Sequence, residues 1–366
     1  MPGKHTVILD TAFRTIDEIF TRADLTRLHR LADVVWGRDE PMPAGELAAA
    51  KLEAFAIVAG SWRHGGVGAD EAPNLRAILD VGGRHPSPQV LDYESCFARS
   101  IRVLSCAPAF GPMVAEAALG MALAASRNLA SHTEAFRRGD ERYLHAGNVD
   151  AFTLYGETVG FIGYGGLAHS LRPLLEPFGC HILAYDPWLP DSALVHEGVE
   201  PAALETLLAA SRAIFVLAIP SASNRAMLDR SRLELIQPGA VFVLISRAHV
   251  VDFDALTELV GAGRFRAAID VFPQEPLPAD HPIRRVPGVV LTPHTAGSVR
   301  KDLRRIGRMV VDDLEAMLAG LPPWAMQVAQ PEIVLRLEYG RAGLEAFHSS
   351  SIRESAIEPL IVDDFT

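Results

Sequence analysis

Cysteine is scarce in this chain. Its 366 residues hold three, Cys96, Cys106 and Cys180, too few and too widely spaced for a disulfide framework or a metal site. Reduced, mostly buried thiols in a cytoplasmic protein are expected instead. A basic excess is missing too: 34 Lys and Arg stand against 45 Asp and Glu, a formal charge of -11. Nucleic-acid binding needs a basic face to release counterions, and only short arginine pairs are visible, so no nucleic-acid partner is expected. No apolar run approaches membrane-spanning length, which argues against a membrane partner. The first ten residues read as a strand and lack the apolar region of a secretory leader. Internal repeats, low-complexity tracts and a long disordered interaction region are not found.

What is present is ordinary globular material, 49% apolar and 22% charged. At this length one core is too large, so two domains are expected. Short apolar runs at residues 7–9, 32–35, 56–59, 77–81 and 101–105 alternate with helical or loop segments, which implies a parallel sheet. An Ala-rich helix is expected from Pro112 to about Arg127. Its small residues suit a helix bridging two domains or subunits, and an ordinary buried helix equally well. Later runs at 158–162, 213–217, 241–245, 267–271 and 289–291 are continuously apolar, as strands covered on both faces are. A last helix over residues 299–320 is placed to cross back to the first domain. The tail from 331 to 366 shows helical periodicity around 333–347 and an acidic end, with no functional reading.

One segment carries specific chemistry. Residues 158–162 run into Gly163, Gly165, Leu167 and Ala168, and the next run ends in Asp186. That is a strand, a glycine turn, a helix start and an acid at the tip of the following strand. Gly163 permits the tight turn, and Gly165 lets the backbone approach a pyrophosphate lying on the helix dipole. Ala168 is a permitted third position, where helix packs on strand. Asp186 stands where a carboxylate accepts both hydroxyls of an adenosine ribose and repels a 2′-phosphate, so NAD is expected over NADP. A Gly-rich turn that binds nothing is the competing reading, and the strand context, spacing and terminal acid argue against it.

In open parallel sheets, ligands bind beyond the carboxyl ends of the strands. Three polar residues fall at such ends: Arg247, Glu275 and His294. Alone, each has a bland explanation, as a solvated or capping arginine, a surface glutamate and a helix-capping histidine. Together, after a cofactor fingerprint, they suit one reaction. Arg247 can grip the carboxylate of a 2-keto acid bidentately, and His294 can protonate the carbonyl oxygen as hydride reaches the carbon. Glu275 can orient the imidazole and stabilise its charged form.

These residues resemble the D-isomer-specific 2-hydroxyacid dehydrogenases, over residues 56–320. Arg247-Ala248-His249-Val250-Val251-Asp252 is similar to the family's Arg-Gly-x-x-Val-Asp. The segments Asp270 to Pro278 and Leu291 to Gly297 match in sequence and separation, and Val114-Ala115-Glu116 resembles the opening of the family's cofactor domain. The resemblance implies an α/β fold of two Rossmann-like parallel-sheet domains. A flavodoxin-like substrate domain (1–108 and 299–330) would sit beside an NAD-binding domain (109–298), with the active site between them and a homodimer formed through the NAD-binding domains. It implies Arg247 as carboxylate binder, His294 as acid/base and Glu275 as its partner. Asp270 would hold the nicotinamide amide, with Pro220, Ser246 and Gly297 lining the cofactor cleft. Gly60 and Ser61 in one loop and Gly82 and Gly83 in another would face the substrate. The substrate would be a small 2-hydroxy or 2-keto acid.

Several positions depart from the pattern. Leu244 replaces a usual Asn, and Ala248 replaces a glycine, awkwardly if that position needs positive φ. The loop of residues 84–90 is longer than usual. Gly60 stands where phosphoglycerate enzymes commonly place an arginine. Arg63, Arg84 and His85 are the candidates for a phosphate site in its place, with solvated loop charges the favoured reading. An NAD-sensing corepressor-type protein, a phosphoglycerate dehydrogenase-like enzyme and a dehydrogenase of weakened turnover stay open as alternatives.

Overall fold

The computed structural model describes residues 4–337; residues 1–3 and 338–366, which include most of the tail periodicity and its acidic end, lie outside the described residues. The strands, in chain order, are β1 (His5–Asp10), β2 (Ala32–Trp36), β3 (Ala54–Ala59), β4 (Ala77–Asp80), β5 (Arg102–Ser105), β6 (Thr158–Ile162), β7 (His181–Tyr185), β8 (Glu200–Pro201), β9 (Ala213–Val216), β10 (Val241–Leu244), β11 (Arg266–Ile269), β12 (Val290–Leu291) and β13 (Gln327–Val328). They form two sheets. The first has the order β13-β5-β4-β3-β1-β2, parallel except for β13. Without β13 that is the doubly wound 2-1-3-4-5 order. The second has the order β12-β11-β10-β9-β6-β7-β8 and is parallel throughout, the dinucleotide-binding 3-2-1-4-5-6 order with one strand added. Registers are regular in the second sheet, with Val159 opposite Ala213 and Val243 opposite Ala268.

Both sheets are covered on both faces, which is why their central strands are apolar at every position: β3, β4, β9 and β10 are buried almost throughout. The helix Ala107–Ser126 starts five residues before the expected Pro112, because Pro108 and Pro112 are accommodated within its first turns. It serves two cores. Ala109 and Met113 pack under the first sheet, whereas Ala115, Ala118, Met121 and Ala122 pack under the second. Its 20 residues are long and apolar enough to cross a membrane by length and composition, which corrects the expectation that no run reaches that length. Burial against two sheets explains the same composition, since 56% of the apolar window lies inside the protein.

The helix Arg300–Leu318 returns to the first sheet. Leu303, Ile306, Val310 and Leu314 pack in its core, and Arg27 pairs with Asp312 at 2.8 Å. Gly307 is needed there, because a Cβ would lie 2.4 Å from the Ile19 carbonyl oxygen. Asp313 then turns the chain back, accepting hydrogen bonds from the amides of Trp324 (2.7 Å), Ala325 (2.8 Å) and Met326 (2.8 Å). This turn delivers β13 to the free edge of β5.

Candidate active site

The glycine turn is built as its sequence implies. Gly163 has φ +94°, and a Cβ on it would lie 2.6 Å from the amide nitrogen of Ala218, so the turn presses against the loop after β9. Gly165 is the N-cap of the helix Gly166–Leu175, with no side chain capping that end. A Cβ at Gly165 or Gly166 would meet nothing within 4 Å. The helix therefore opens without a side-chain cap, beside glycines that a ligand can approach closely, the setting that an anionic pyrophosphate fits. Ala168 is buried between helix and sheet, and Leu167 is half-buried beside it. Asp186 directly follows β7, where Oδ2 accepts from the Tyr164 amide at 2.8 Å and Oδ1 from the Trp188 amide at 2.9 Å. Each oxygen keeps lone-pair capacity for a further donor. A pocket of about 370 Å³ opens beside it, walled by Tyr185, Pro187, Leu189, Leu194 and Pro201. The Ser246 hydroxyl is buried without a hydrogen-bond partner. These features fit a dinucleotide running from the Asp186 pocket past the glycine turn to the ends of β10 and β11.

Arg247, Glu275 and His294 lie beyond the ends of β10, β11 and β12, three neighbouring strands. The imidazole Nδ1 of His294 donates to Glu275 Oε2 at 2.7 Å, and the Phe272 amide donates to Glu275 Oε1 at 2.9 Å. His294 is thus no helix cap, since the next helix opens only at Arg300. Its Nε2 has no partner among the described residues and is the ring nitrogen left for proton exchange. Burial pushes the Glu275 carboxyl up, but the His294 hydrogen bond and charge, the Phe272 amide and the Arg247 guanidinium outweigh it. The net effect holds Glu275 below its ordinary value, so it stands as a carboxylate beside the ring. Arg247 itself bonds the Ser246 carbonyl at 2.6 Å.

His294 has φ +54°, unusual for a residue with a side chain. Asp270 holds it there. The His294 amide donates to the Asp270 carbonyl at 2.8 Å. The buried Asp270 carboxylate accepts from Thr292 Oγ1 (2.5 Å) and from the amides of Thr295 (3.0 Å) and Ala296 (3.2 Å). Asp270 therefore braces the His294 turn, a role that the sequence reading did not give it. Ala248 lies in a short 3-10 turn outside the positive-φ region, so its replacement of glycine costs nothing there.

The first sheet supplies the facing loops. Gly60 closes on β1 so tightly that a Cβ would lie 2.4 Å from the Thr11 and Ala12 carbonyl oxygens. Gly82 sits against the Gly60 carbonyl, and its amide donates to Asp80 Oδ1 at 2.8 Å. Gly83 and Gly297 meet through Phe110. A Cβ on either would come within 2.9 Å and 3.1 Å of that ring, so the substrate-side loop and the cofactor-side loop touch the same side chain. Gly60, Ser61, Gly82 and Arg84 line a narrow pocket of about 60 Å³ with Trp62 and Pro86. Two charges expected to be solvated are not. Arg63 pairs with the buried Asp10, and His85 is buried with Nε2 3.0 Å from the Gln327 carbonyl, its pKa lowered by burial to about 4. Each is engaged inside the protein, because its partner comes from a remote strand that sequence reading could not bring near. Phe110, Asp80, Asp10 and His64 are site neighbours the sequence did not single out.

The chain is similar to known proteins. The family profile described as D-isomer specific 2-hydroxyacid dehydrogenase, NAD binding domain, matches residues 119–296. The hydroxypyruvate reductase of Thermotoga maritima is 33% identical over 230 residues, 61% of this chain and 72% of that protein. The D-3-phosphoglycerate dehydrogenase of Methanocaldococcus jannaschii is 30% identical over 232 residues, 63% of this chain but 44% of the relative, so the match spans less than half the length of that protein. A crystal structure of a phosphoglycerate oxidoreductase from Rhizobium etli superposes with a TM-score of 0.79 at 36% identity, covering 89% of this chain and 99% of that one.

Proposed function

The chain belongs to the D-isomer specific 2-hydroxyacid dehydrogenase family, and on that premise we propose that it interconverts a small D-2-hydroxy acid and its 2-keto acid with NAD as hydride carrier. Bound NAD supplies or accepts the hydride. The chain's residues do the rest. The Arg247 guanidinium holds the substrate carboxylate, His294 Nε2 gives a proton to the carbonyl oxygen in reduction and takes it back in oxidation, and Glu275 balances the charge on the ring while it is protonated. Gly163, Gly165, Leu167, Ala168 and Asp186 hold the dinucleotide, with Pro220, Ser246 and Gly297 along its cleft. Gly60, Ser61, Gly82 and Gly83 form the substrate's opposite wall. The 2.7 Å contact between His294 and Glu275, beside Arg247, carries this reading.

We further propose a cytoplasmic homodimer with residues 1–108 and 299–330 as the substrate domain and 109–298 as the cofactor domain. Phe136, Tyr143, Leu144 and Val149 are exposed on and after the helix Leu129–Arg138, a run of apolar surface suited to a second copy. Light scattering of the full chain tests it.

The activity test is NADH oxidation with glyoxylate, hydroxypyruvate, pyruvate and phosphohydroxypyruvate. One or more should be reduced, and NADH should serve better than NADPH because of Asp186. His294→Ala should lower kcat by about 10²–10⁴, whereas Arg247→Ala should chiefly raise KM for the keto acid. Tight NADH binding with no turnover of any substrate would replace the enzyme reading with a sensor.

A further inference from the structure

Behind the loop of residues 60–64 lies an ionic cluster that the proposed reaction does not use. Asp10 ends β1, at the point of the first sheet where strand order reverses, and its side chain is fully buried. The carboxylate accepts from Arg63 Nη2 at both oxygens and from His64 Nε2 at 2.9 Å. His64 is equally buried, and its ring lies 5.0 Å from that of Trp62. Lys51, also buried, donates to the His64 carbonyl at 2.9 Å. At the loop's other end the Gly60 amide reaches the Asp10 carbonyl at 3.3 Å, and the absent Cβ lets its backbone lie on Thr11 and Ala12. Both ends of the loop are thus bonded to Asp10, with Gly60 also packed on Thr11 and Ala12, leaving Ser61 and Trp62 between them on the wall of the narrow pocket.

Stability alone is a poor reason for such a cluster. Removing a carboxylate and a guanidinium from water costs about as much as their attraction returns, and apolar replacements of similar volume often stabilise more. A fixed geometry is what the cluster provides. We propose that Asp10 is a positioning residue: through Arg63 and His64 it sets the 60–64 loop so that the loop can meet a bound 2-keto acid. The inference rests on the assignment of Gly60 and Ser61 to the substrate.

Full-length Asp10→Asn and Asp10→Ala would be assayed with NADH and glyoxylate or hydroxypyruvate, whichever the wild type reduces better. KM for the keto acid should rise about tenfold, as loss of loop geometry predicts, with kcat within about twofold and NADH affinity unchanged. Amide hydrogen exchange should quicken at residues 60–66 and stay as in the wild type at residues 163–175. Should Asp10→Ala not fold, Asp10→Asn and Arg63→Met carry the same expectation. A purely structural role would lower melting temperature while leaving KM alone, and that result overturns the inference. So does a parallel loss of kcat, keto-acid KM and NADH affinity. A wild type that reduces no 2-keto acid removes the substrate reading and the inference with it, whereas wild-type turnover with an unmoved KM in Asp10→Asn removes the inference alone.

Discussion

Asp80 ends β4 with its carboxyl almost wholly out of water, and burial pushes its pKa up to about 7 against the pull of the Gly82 amide and the Arg84 charge. The sign of the consequence follows from proton counting. Between the ordinary value of 3.8 and about 7 the folded chain keeps a proton that the unfolded chain has released. Stability therefore falls as pH rises through that window and levels off above it. At about 1.4 kcal/mol per pKa unit the full penalty is on the order of 4 kcal/mol. Asp80→Asn keeps an oxygen for the Gly82 amide and removes the charge. It should be more stable than the wild type in denaturant melts above neutral pH, and the advantage should shrink steadily toward pH 4. An advantage that is the same at both ends of the range would mean that Asp80 is not held protonated. Asp80 and Asp10 were invisible in the sequence for one reason: an acid at a strand end looks solvated until the packing above it is known. Arg247, Glu275 and His294 were legible because strand ends of a parallel sheet have an assigned direction, and three such residues in succession after a glycine fingerprint share one edge. The sequence could not show Asp270 bracing the His294 turn, because that depends on where Thr292, Thr295 and Ala296 aim their donors.

Among the elements, the continuous apolar runs became the central strands because burial on both faces erases the alternation of a half-exposed strand. The strands that went unread, β8 and β13, have two residues each and mixed polarity. No periodicity can develop over so short a span, and their pairing is decided by the neighbouring edge. The start of the helix Ala107–Ser126 was misplaced because Pro112 reads as an N-terminal marker. In the fold, the chain has already turned helical at Ala107, with Pro108 in the first turn where its missing amide donor costs nothing. The turn after β6 yields the sharpest prediction at this scale. Gly163 combines a positive φ with backbone of Ala218 at 2.6 Å and 2.7 Å from where a Cβ would be. Gly163→Ala must either strain the turn or push away the loop after β9, which leads toward Pro220. Both distort the cofactor cleft. The variant should lose roughly 1–3 kcal/mol of stability and bind NADH at least tenfold more weakly by fluorescence titration, while Gly165→Ala, with open space around it, should keep wild-type stability and lose affinity alone. Equal melting temperatures for the two variants would contradict the close-approach argument.

For the whole molecule, the question is what holds the two sheets in one relation. The chain passes between them at Cys106–Ala107 and again ahead of Arg300, and the helix Ala107–Ser126 shares its residues between two cores. A further connection comes from residues 327–337, which run into the tail that had no functional reading in the sequence. β13 pairs with β5, and the Ala329 amide reaches the Val103 carbonyl at 2.8 Å. Val334 and Leu337 are then buried in a core of the first sheet, against which Trp188 packs from beyond the end of β7. Leu337 also bridges Ser221, next to Pro220 in the loop after β9, and Arg336 lies over the Trp188 ring at 5.8 Å. The segment 327–337 is therefore fastened to both sheets, on the edge where the dinucleotide is proposed to lie. Its two side chains should differ in weight. Leu337→Asp puts a charge into an apolar seam, a change of about 3 kcal/mol. For a unit of 150–250 residues that corresponds to a fall of on the order of 6–12 °C in Tm. Arg336→Ala removes a partly exposed cation–π contact of about 0.5–1 kcal/mol, a fall of roughly 1–4 °C. Calorimetry would separate the two, and Leu337→Asp should also shift the Trp188 emission to longer wavelength as the seam admits water. If Leu337→Asp melts with the wild type, the segment contributes nothing to holding the sheets together, and their relation rests on the helix Ala107–Ser126 and the approach to Arg300.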